Sequence, residues 1–299
     1  MQRLRHILVG LSFDDPAGRL TAGSRAAALR ALWLAERTGA DVEFLHSSYH
    51  HPEHGEAPPP GDGEPGRADL EALAAEHGGG PVTLLASAEP PWAALARRVA
   101  AGANDLVVVG KRNRPGPRSR RLGSVALRLI HVCPSPVWIA KPEPLGRHRA
   151  VLAATDLTAV GDRATEYAAF IAEIEKCELH VVHAWQMPME LQLSAGRIGD
   201  RELQRQLREI ADDAREHVLA LLPVAALGDR VTATIRRGTP SKTILEAATR
   251  LQPDVVVLGS ISRSGVAGFL VGNTAERLLH RLDASLLTVK PEDFVCPLT

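Results

Sequence analysis

Cysteine, aromatic residues and net charge are all scarce in this chain, and each scarcity excludes something. The three cysteines among 299 residues, Cys133, Cys177 and Cys296, are far apart and form no C-x-x-C pair. They cannot supply the disulfide framework of a small secreted domain, and they fit a reducing compartment. Thirty-five basic residues balance 35 acidic ones, so no global field draws in nucleic acid or an anionic membrane. Aromatic residues make up 4% of the chain. None is interleaved in its most basic stretch, Lys111, Arg112, Arg114, Arg118, Arg120 and Arg121, so the stacking platform that reads single-stranded nucleic acid is missing and a solvated basic loop is expected there. No apolar run approaches the ~20 residues of a membrane helix. MQRLRHILVGLSF lacks a small-residue cleavage site behind a long apolar region and reads as a first strand rather than a signal peptide. A cytoplasmic protein without membrane contact is expected. Neither the Walker lysine motif nor a G-x-S-x-G elbow is present, so nothing marks a catalytic group, and a non-enzyme is expected.

What the chain does have is a repeat. Val255 to Lys290 reads as an apolar run closed by Gly259, a Ser- and Gly-rich loop, an amphipathic segment and a second apolar run. Leu106 to Pro142 has the same plan without a gap. Gly110, Gly123, Ala126, Arg128, Leu129, His131, Lys141 and Pro142 match Gly259, Gly272, Ala275, Arg277, Leu278, His280, Lys290 and Pro291. Agreement of this kind implies duplication of a whole domain. The length fits two domains of ~150 residues, placed at 1–145 and 146–299 with a joint at Leu145-Gly-Arg-His-Arg149.

Strand and helix patterns alternate through both halves. His6–Leu11 is a buried strand followed by a polar turn from Ser12 to Gly18; Leu20–Thr38 is a helix stopped by Gly39; Asp41–His46 is a second strand. The Pro- and Gly-rich segment 50–66 is a loop. A short helix over Ala68–His77, a strand over Pro81–Ser87, a helix opened by Pro90-Pro91, a strand over Asp105–Gly110, a helix ending near His131 and a strand over Pro136–Ala140 complete the first half. The second half repeats this with strands over Ala150–Thr155, Glu178–Trp185, Arg230–Arg236, Val255–Gly259 and Ala284–Val289. Its helices cover Ala159–Lys176 and Asp200–Leu222, with another starting near Pro240. The pattern predicts an α/β fold, each domain a five-stranded parallel sheet covered on both faces, with ligands at the carboxyl ends of the strands where strand order reverses. The apolar fifth strands would be exposed edges if left alone.

With these residues in view, the chain resembles a tandem universal stress protein, and more narrowly the two-domain E type of that family. Gly-Asn-Thr-Ala-Glu at 272–276 and Cys-Pro-Ser-Pro-Val-Trp at 133–138 carry the narrower likeness. The resemblance implies Rossmann-like domains whose fifth strands pair, forming an internal pseudo-dimer. It also implies a stress-response role. Nucleotide-binding members of the family carry Gly, two residues, Gly, nine residues, then Gly-Ser or Gly-Thr, with an Asp closing the first strand. The second half answers with Gly259, Ser262, Gly272, Asn273 and Asp156. The first half offers Gly110, Asn113, Gly123 and Ser124, with Ser12 in place of the Asp. Both halves replace the middle glycine, which crowds the approach to phosphate.

The resemblance therefore places the candidate cofactor site in the second half, at Asp156, Gly259, Ser260, Ser262, Gly272, Asn273 and Thr274, with ATP or AMP and magnesium as the implied ligand. The first site is expected to have lost ATP binding. Other readings stay open. Asp156 equally suits a helix cap, and the loop equally suits a plain strand-to-helix connection. A degenerate nucleotide cavity could hold an apolar or phosphate-bearing metabolite instead. His46, His50, His51 and His54 invite a metal reading, but their setting among prolines lacks the fixed partners that ligands require. His131 and His280 suit charge–dipole roles at a helix C-terminus. The partners implied are a small molecule and proteins the sequence does not name; a homodimer of tandem chains stays open.

Overall fold

A computed structural model of the chain describes residues 4–14, 18–49, 66–77, 81–102, 104–111, 122–142, 146–187, 199–260 and 277–298. In chain order the elements are β1 (His6–Leu11), β2 (Phe13–Asp14), β3 (Arg19–Leu20), α1 (Ala22–Thr38), β4 (Asp41–Ser47), α2 (Arg67–Glu76), β5 (Thr83–Ser87), α3 (Pro91–Ala100), β6 (Leu106–Gly110), α4 (Ser124–Val132) and β7 (Val137–Ala140). There follow β8 (Ala150–Thr155), α5 (Ala159–Glu175), β9 (Glu178–Trp185), α6 (Asp200–Ala220), α7 (Val224–Leu227), β10 (Val231–Arg237), α8 (Pro240–Leu251), β11 (Val255–Gly259) and β12 (Ser285–Val289). The sequence patterns locate most of these within one or two residues. Where a polar turn is expected from Ser12 to Gly18, Phe13 and Asp14 form a strand that pairs antiparallel with Leu20 and Arg19; residues 15–17 lie outside the described residues.

The described chain packs as two compact units, one within residues 3–146 and 285–299, the other within 147–264 and 272–284. The first unit has strand order β12-β7-β6-β1-β4-β5. Its five strands from the first half are all parallel. The expected pairing of the fifth strands is present: β12 runs antiparallel to β7, with Leu287 opposite Trp138. The second unit has the order β10-β9-β8-β11, parallel throughout. In each unit the strand nearest the start of the half, β1 or β8, is central, and the chain steps first to one side of it and later to the other. That reversal sets the crevice where a ligand is expected, between β1 and β6 and between β8 and β11.

Central strands are uninterrupted apolar runs because helices cover both faces. All six residues of β8 are buried, as are Leu106 to Val109 of β6 and Val255 to Leu258 of β11. Each fully buried Val or Leu contributes about 1.5–3 kcal/mol. Strand starts are fixed by the same device in both units. Asp105 Oδ2 accepts from the Arg5 and His6 amides at 2.7 and 3.0 Å, and Asp254 Oδ2 accepts from the Arg149 and Ala150 amides at 2.6 and 3.1 Å. Helix stops also correspond, with Gly39 (φ 73) after α1 and Lys176 (φ 53) after α5 in left-handed conformation. The start of the second repeat is pinned by a buried pair. His148 Nδ1 lies 3.1 Å from Glu175 Oε1, and its amide donates to Glu175 Oε2 at 2.9 Å.

Candidate functional site

In the second unit the turn from β8 into α5 takes only Asp156, Leu157 and Thr158. Asp156 Oδ1 accepts from the Thr158 amide at 3.2 Å and from the Thr158 hydroxyl at 2.5 Å. The Thr158 oxygen in turn accepts from the Gly161 amide at 3.3 Å, which caps α5. Leu157 sits at φ 59, a left-handed conformation that costs a leucine about 1–2 kcal/mol. Its amide donates to Thr155 Oγ1 at 3.0 Å. Gly161 is required for this packing: a Cβ there would lie 2.6 Å from Thr155 Oγ1 and 2.7 Å from Asp156 Oδ1. The helix N-terminus is thus brought directly against the Asp156 carboxylate. Both sequence readings of Asp156 survive in the geometry, since it fastens the turn and also stands at the carboxyl edge of the central strand.

Beside it, β11 delivers Gly259 and Ser260 to the same edge; Ser260 is fully buried. A Cβ on Gly259 would meet Val160 Cγ1 at 2.8 Å, so the Val160 side chain stands between the end of β11 and the first turn of α5. No sequence motif points to His183. It is buried near the carboxyl end of β9, paired in register with Thr155, and its Nδ1 lies 2.9 Å from the Thr155 carbonyl. Because a carbonyl only accepts, Nδ1 carries the proton. His46 is its counterpart on β4, with Nδ1 3.5 Å from the Leu11 carbonyl. Comparing the second strands of the two repeats would have found His183 from His46. Ser262, Gly272, Asn273 and Thr274 lie outside the described residues.

Site one is built differently. Ser12, in the place of Asp156, joins a hydroxyl cluster with Thr21 (3.1 Å) and Ser24 (3.2 Å) and presents no carboxylate. Lys111, which the repeat matches to Ser260, is not part of a solvated basic loop. It is 3% exposed, and its amide donates to the Ala140 carbonyl at 2.7 Å. The second position of α1 is Gly23, where α5 has Val160. A Cβ on Gly110 would lie 2.2 Å from the Gly23 carbonyl carbon and oxygen. Here the helix backbone rests on the strand end with no side chain between. Asn113 and Arg112 to Arg121 lie outside the described residues, as do His50, His51 and His54. Among the described residues no group of three or more His, Cys, Asp or Glu could hold a metal ion.

Comparison with known proteins decides the family. A model of the universal stress protein family matches residues 4–141 and again residues 148–290. The chain belongs to the universal stress protein family. This universal stress protein is also 27% identical over 226 residues to universal stress protein E of Salmonella typhi and of Escherichia coli (strain K12), covering 69% of this chain and 67% of each relative. Together with the two matches, that likeness makes it a tandem protein of the E type. Among solved structures, a Pseudomonas aeruginosa PAO1 protein described as functionally unknown aligns with a TM-score of 0.68 at 24% identity, covering 99% of this chain and 95% of that one. A universal stress protein from Archaeoglobus fulgidus DSM 4304 aligns with a TM-score of 0.60 at 20% identity, over 96% and 98%. These structural likenesses bear on the fold. Family membership supports a role in the stress response.

Proposed function

We propose that this universal stress protein is a cytoplasmic, non-catalytic regulator that binds a nucleotide, ATP or AMP, in its second repeat and acts through contacts with other proteins. The repeat boundary is placed at 145/146, with the degenerate site in 1–145 and the competent site in 146–299. Among the described residues no helix is long and apolar enough to cross a membrane.

The observation that carries the reading is the contrast at the two switch points. In the second unit Asp156 stands against the N-terminus of α5, and a rotatable valine separates that helix from Gly259. In the first, a serine replaces the acid and the backbones of Gly23 and Gly110 are in contact. A carboxylate at the end of the central strand can accept from ribose hydroxyls or an exocyclic amine. The buried Ser260 hydroxyl and the Gly259 backbone adjoin the position phosphates would take, and the α5 N-terminus favours an anion. The donor set fits a nucleotide: a carboxylate acceptor at the end of the central strand, a helix N-terminus and a buried serine meet at one edge, where Gly161 lets α5 close on the strand end. Magnesium would come with the phosphates, as it does where the ion keeps its waters rather than a protein cage.

Calorimetric titration of ATP with magnesium tests this. Asp156→Asn keeps an acceptor for Thr158 and removes the charge; it should weaken binding about tenfold, the equivalent of ~1.4 kcal/mol. Ser12→Ala should leave binding unchanged. Absence of heat at millimolar ATP, or equal losses in the two variants, would sink the reading.

A further inference from the structure

We propose that the hairpin β2–β3 is a permanent internal occupant of the first unit's ligand position, with the Phe13 ring standing where a planar base would otherwise lie. This rests on placing ligands at the carboxyl edge of the sheet and goes beyond the nucleotide reading of the second unit.

The hairpin is inserted where a ligand would enter. In the second unit Asp156 to Thr158 alone join the central strand to its helix, whereas in the first unit the same connection, from Ser12 to Thr21, carries the extra hairpin. It is clamped at several points. The Thr21 amide donates to the Ser12 carbonyl at 3.1 Å, closing the base. The Leu20 amide donates to Asp69 Oδ2 of α2 at 2.9 Å, and the Leu20 side chain is buried. Phe13 lies edge-on to the His46 ring with centroids 4.7 Å apart. His46 is near the carboxyl end of β4, directly opposite Leu11, the last residue of β1. Phe13 therefore covers the ends of the central strand and its neighbour, the edge at which His183 is found in the second unit.

The ring makes a second close contact. Gly66, at the N-terminus of α2, has φ +74, and a Cβ there would fall 1.9 Å from Phe13 Cε1. Only glycine lets the chain pass this close to the ring. A planar aromatic group in contact with an imidazole and with a backbone segment, beside the carboxyl ends of two parallel strands, is the contact pattern of a bound base made from the chain itself. The neighbouring crevice is shut independently, by the backbone contact of Gly23 with Gly110. A pocket that had merely lost its ligand would need neither the clamp to Asp69 nor the glycine beneath the ring.

The proposal is tested on the full chain by NMR, following the His46 Hε1 resonance, assigned with His46→Gln, during titration with adenosine to millimolar concentration. Three proteins are compared: wild type, Phe13→Ala, and a variant in which residues 13–20 are replaced by a single leucine to copy the Asp156-Leu157-Thr158 turn. Wild type should show no shift at His46. At least one variant whose circular dichroism matches wild type should show a saturable shift. A saturable shift in wild type, or none in both variants when folded, overturns the proposal. Because His46 alone is read, failure of nucleotide binding in the second unit would leave the comparison intact.

Discussion

The contact between Gly23 and Gly110 can be probed by one added methyl group, with its repeat counterpart as the internal control. In Gly110→Ala the new Cβ falls 2.2 Å from Gly23 carbonyl atoms, while carbon atoms in folded proteins stay about 3 Å or more from such neighbours. No rotamer change can relieve a clash with backbone, so α1 and β6 must part by nearly 1 Å. That places the cost near the upper end of overpacking, about 3 kcal/mol. Restricting the unfolded chain returns about 0.4–1 kcal/mol, leaving a net loss of about 2–2.6 kcal/mol. In Gly259→Ala the one close contact of the Cβ among the described residues is with Val160 Cγ1, at 2.8 Å, and a χ1 adjustment costs about 0.5–1.5 kcal/mol. After the same return, Gly259→Ala should lie within about 1 kcal/mol of wild type. Urea unfolding by tryptophan fluorescence separates the two. Trp33, Trp92 and Trp138 lie in the first unit and Trp185 in the second, so Gly110→Ala is read in a Trp185→Phe background and Gly259→Ala in a background that keeps Trp185 alone. Equal losses in the two variants, or a larger loss for Gly259→Ala, would refute the claim that one crevice is closed by backbone and the other propped by a side chain.

Lys290 is 4% exposed, and burial depresses its ammonium to about 8 from the usual 10.5. The unfolded chain therefore holds a proton at Lys290 that the folded chain has shed above pH 8, and the contribution of Lys290 to stability should rise with pH through that window. Between pH 8 and 9 the Lys290 part should amount to about 1 kcal/mol in urea unfolding, while the Cys133 and Cys177 thiols, which ionise over the same range only in the unfolded chain, work against it; the Lys290 part is therefore read as the difference in pH slope between wild type and Lys290→Met, and equal slopes would contradict it. Burial pushes the Cys133 and Cys177 thiols up to about 12, so a thiol-specific reagent at pH 8 should label neither until the protein is unfolded. Labelling of either in buffer at the rate of a small thiol would contradict that burial.

The strands and helices were legible because their signals are local. Apolar runs such as Leu106–Val109 and stops such as Gly39 fall where the periodicity predicts, and the repeat from Gly110 to Pro142 announces the duplication. The hairpin at 13–20 was not legible, because strands of two residues have no periodicity and Asp14-Asp15-Pro16-Ala17-Gly18 has turn composition. The burial of Lys111 was hidden for a different reason. Its residue type argues for solvent, and only its place directly after β6, with its amide bonded to Ala140, puts it inside. Asp156 was found as a candidate, yet whether it caps a helix or meets a ligand depends on what packs against it. Gly161 supplies that answer in part, through a contact that exists only once α5 has closed on β8. The contrast between Gly23 and Val160 likewise requires aligning α1 with α5 from their Thr21 and Thr158 caps, outside the ungapped repeat.

Hydrogen–deuterium exchange of the intact chain with and without ATP and magnesium tests the asymmetry of the two sites most directly. The account predicts slowed exchange in peptides covering 156–162 and 255–260, and none in those covering 12–24 and 106–111. Protection of the first-unit peptides equal to that of the second, or protection confined to the first unit, would contradict it.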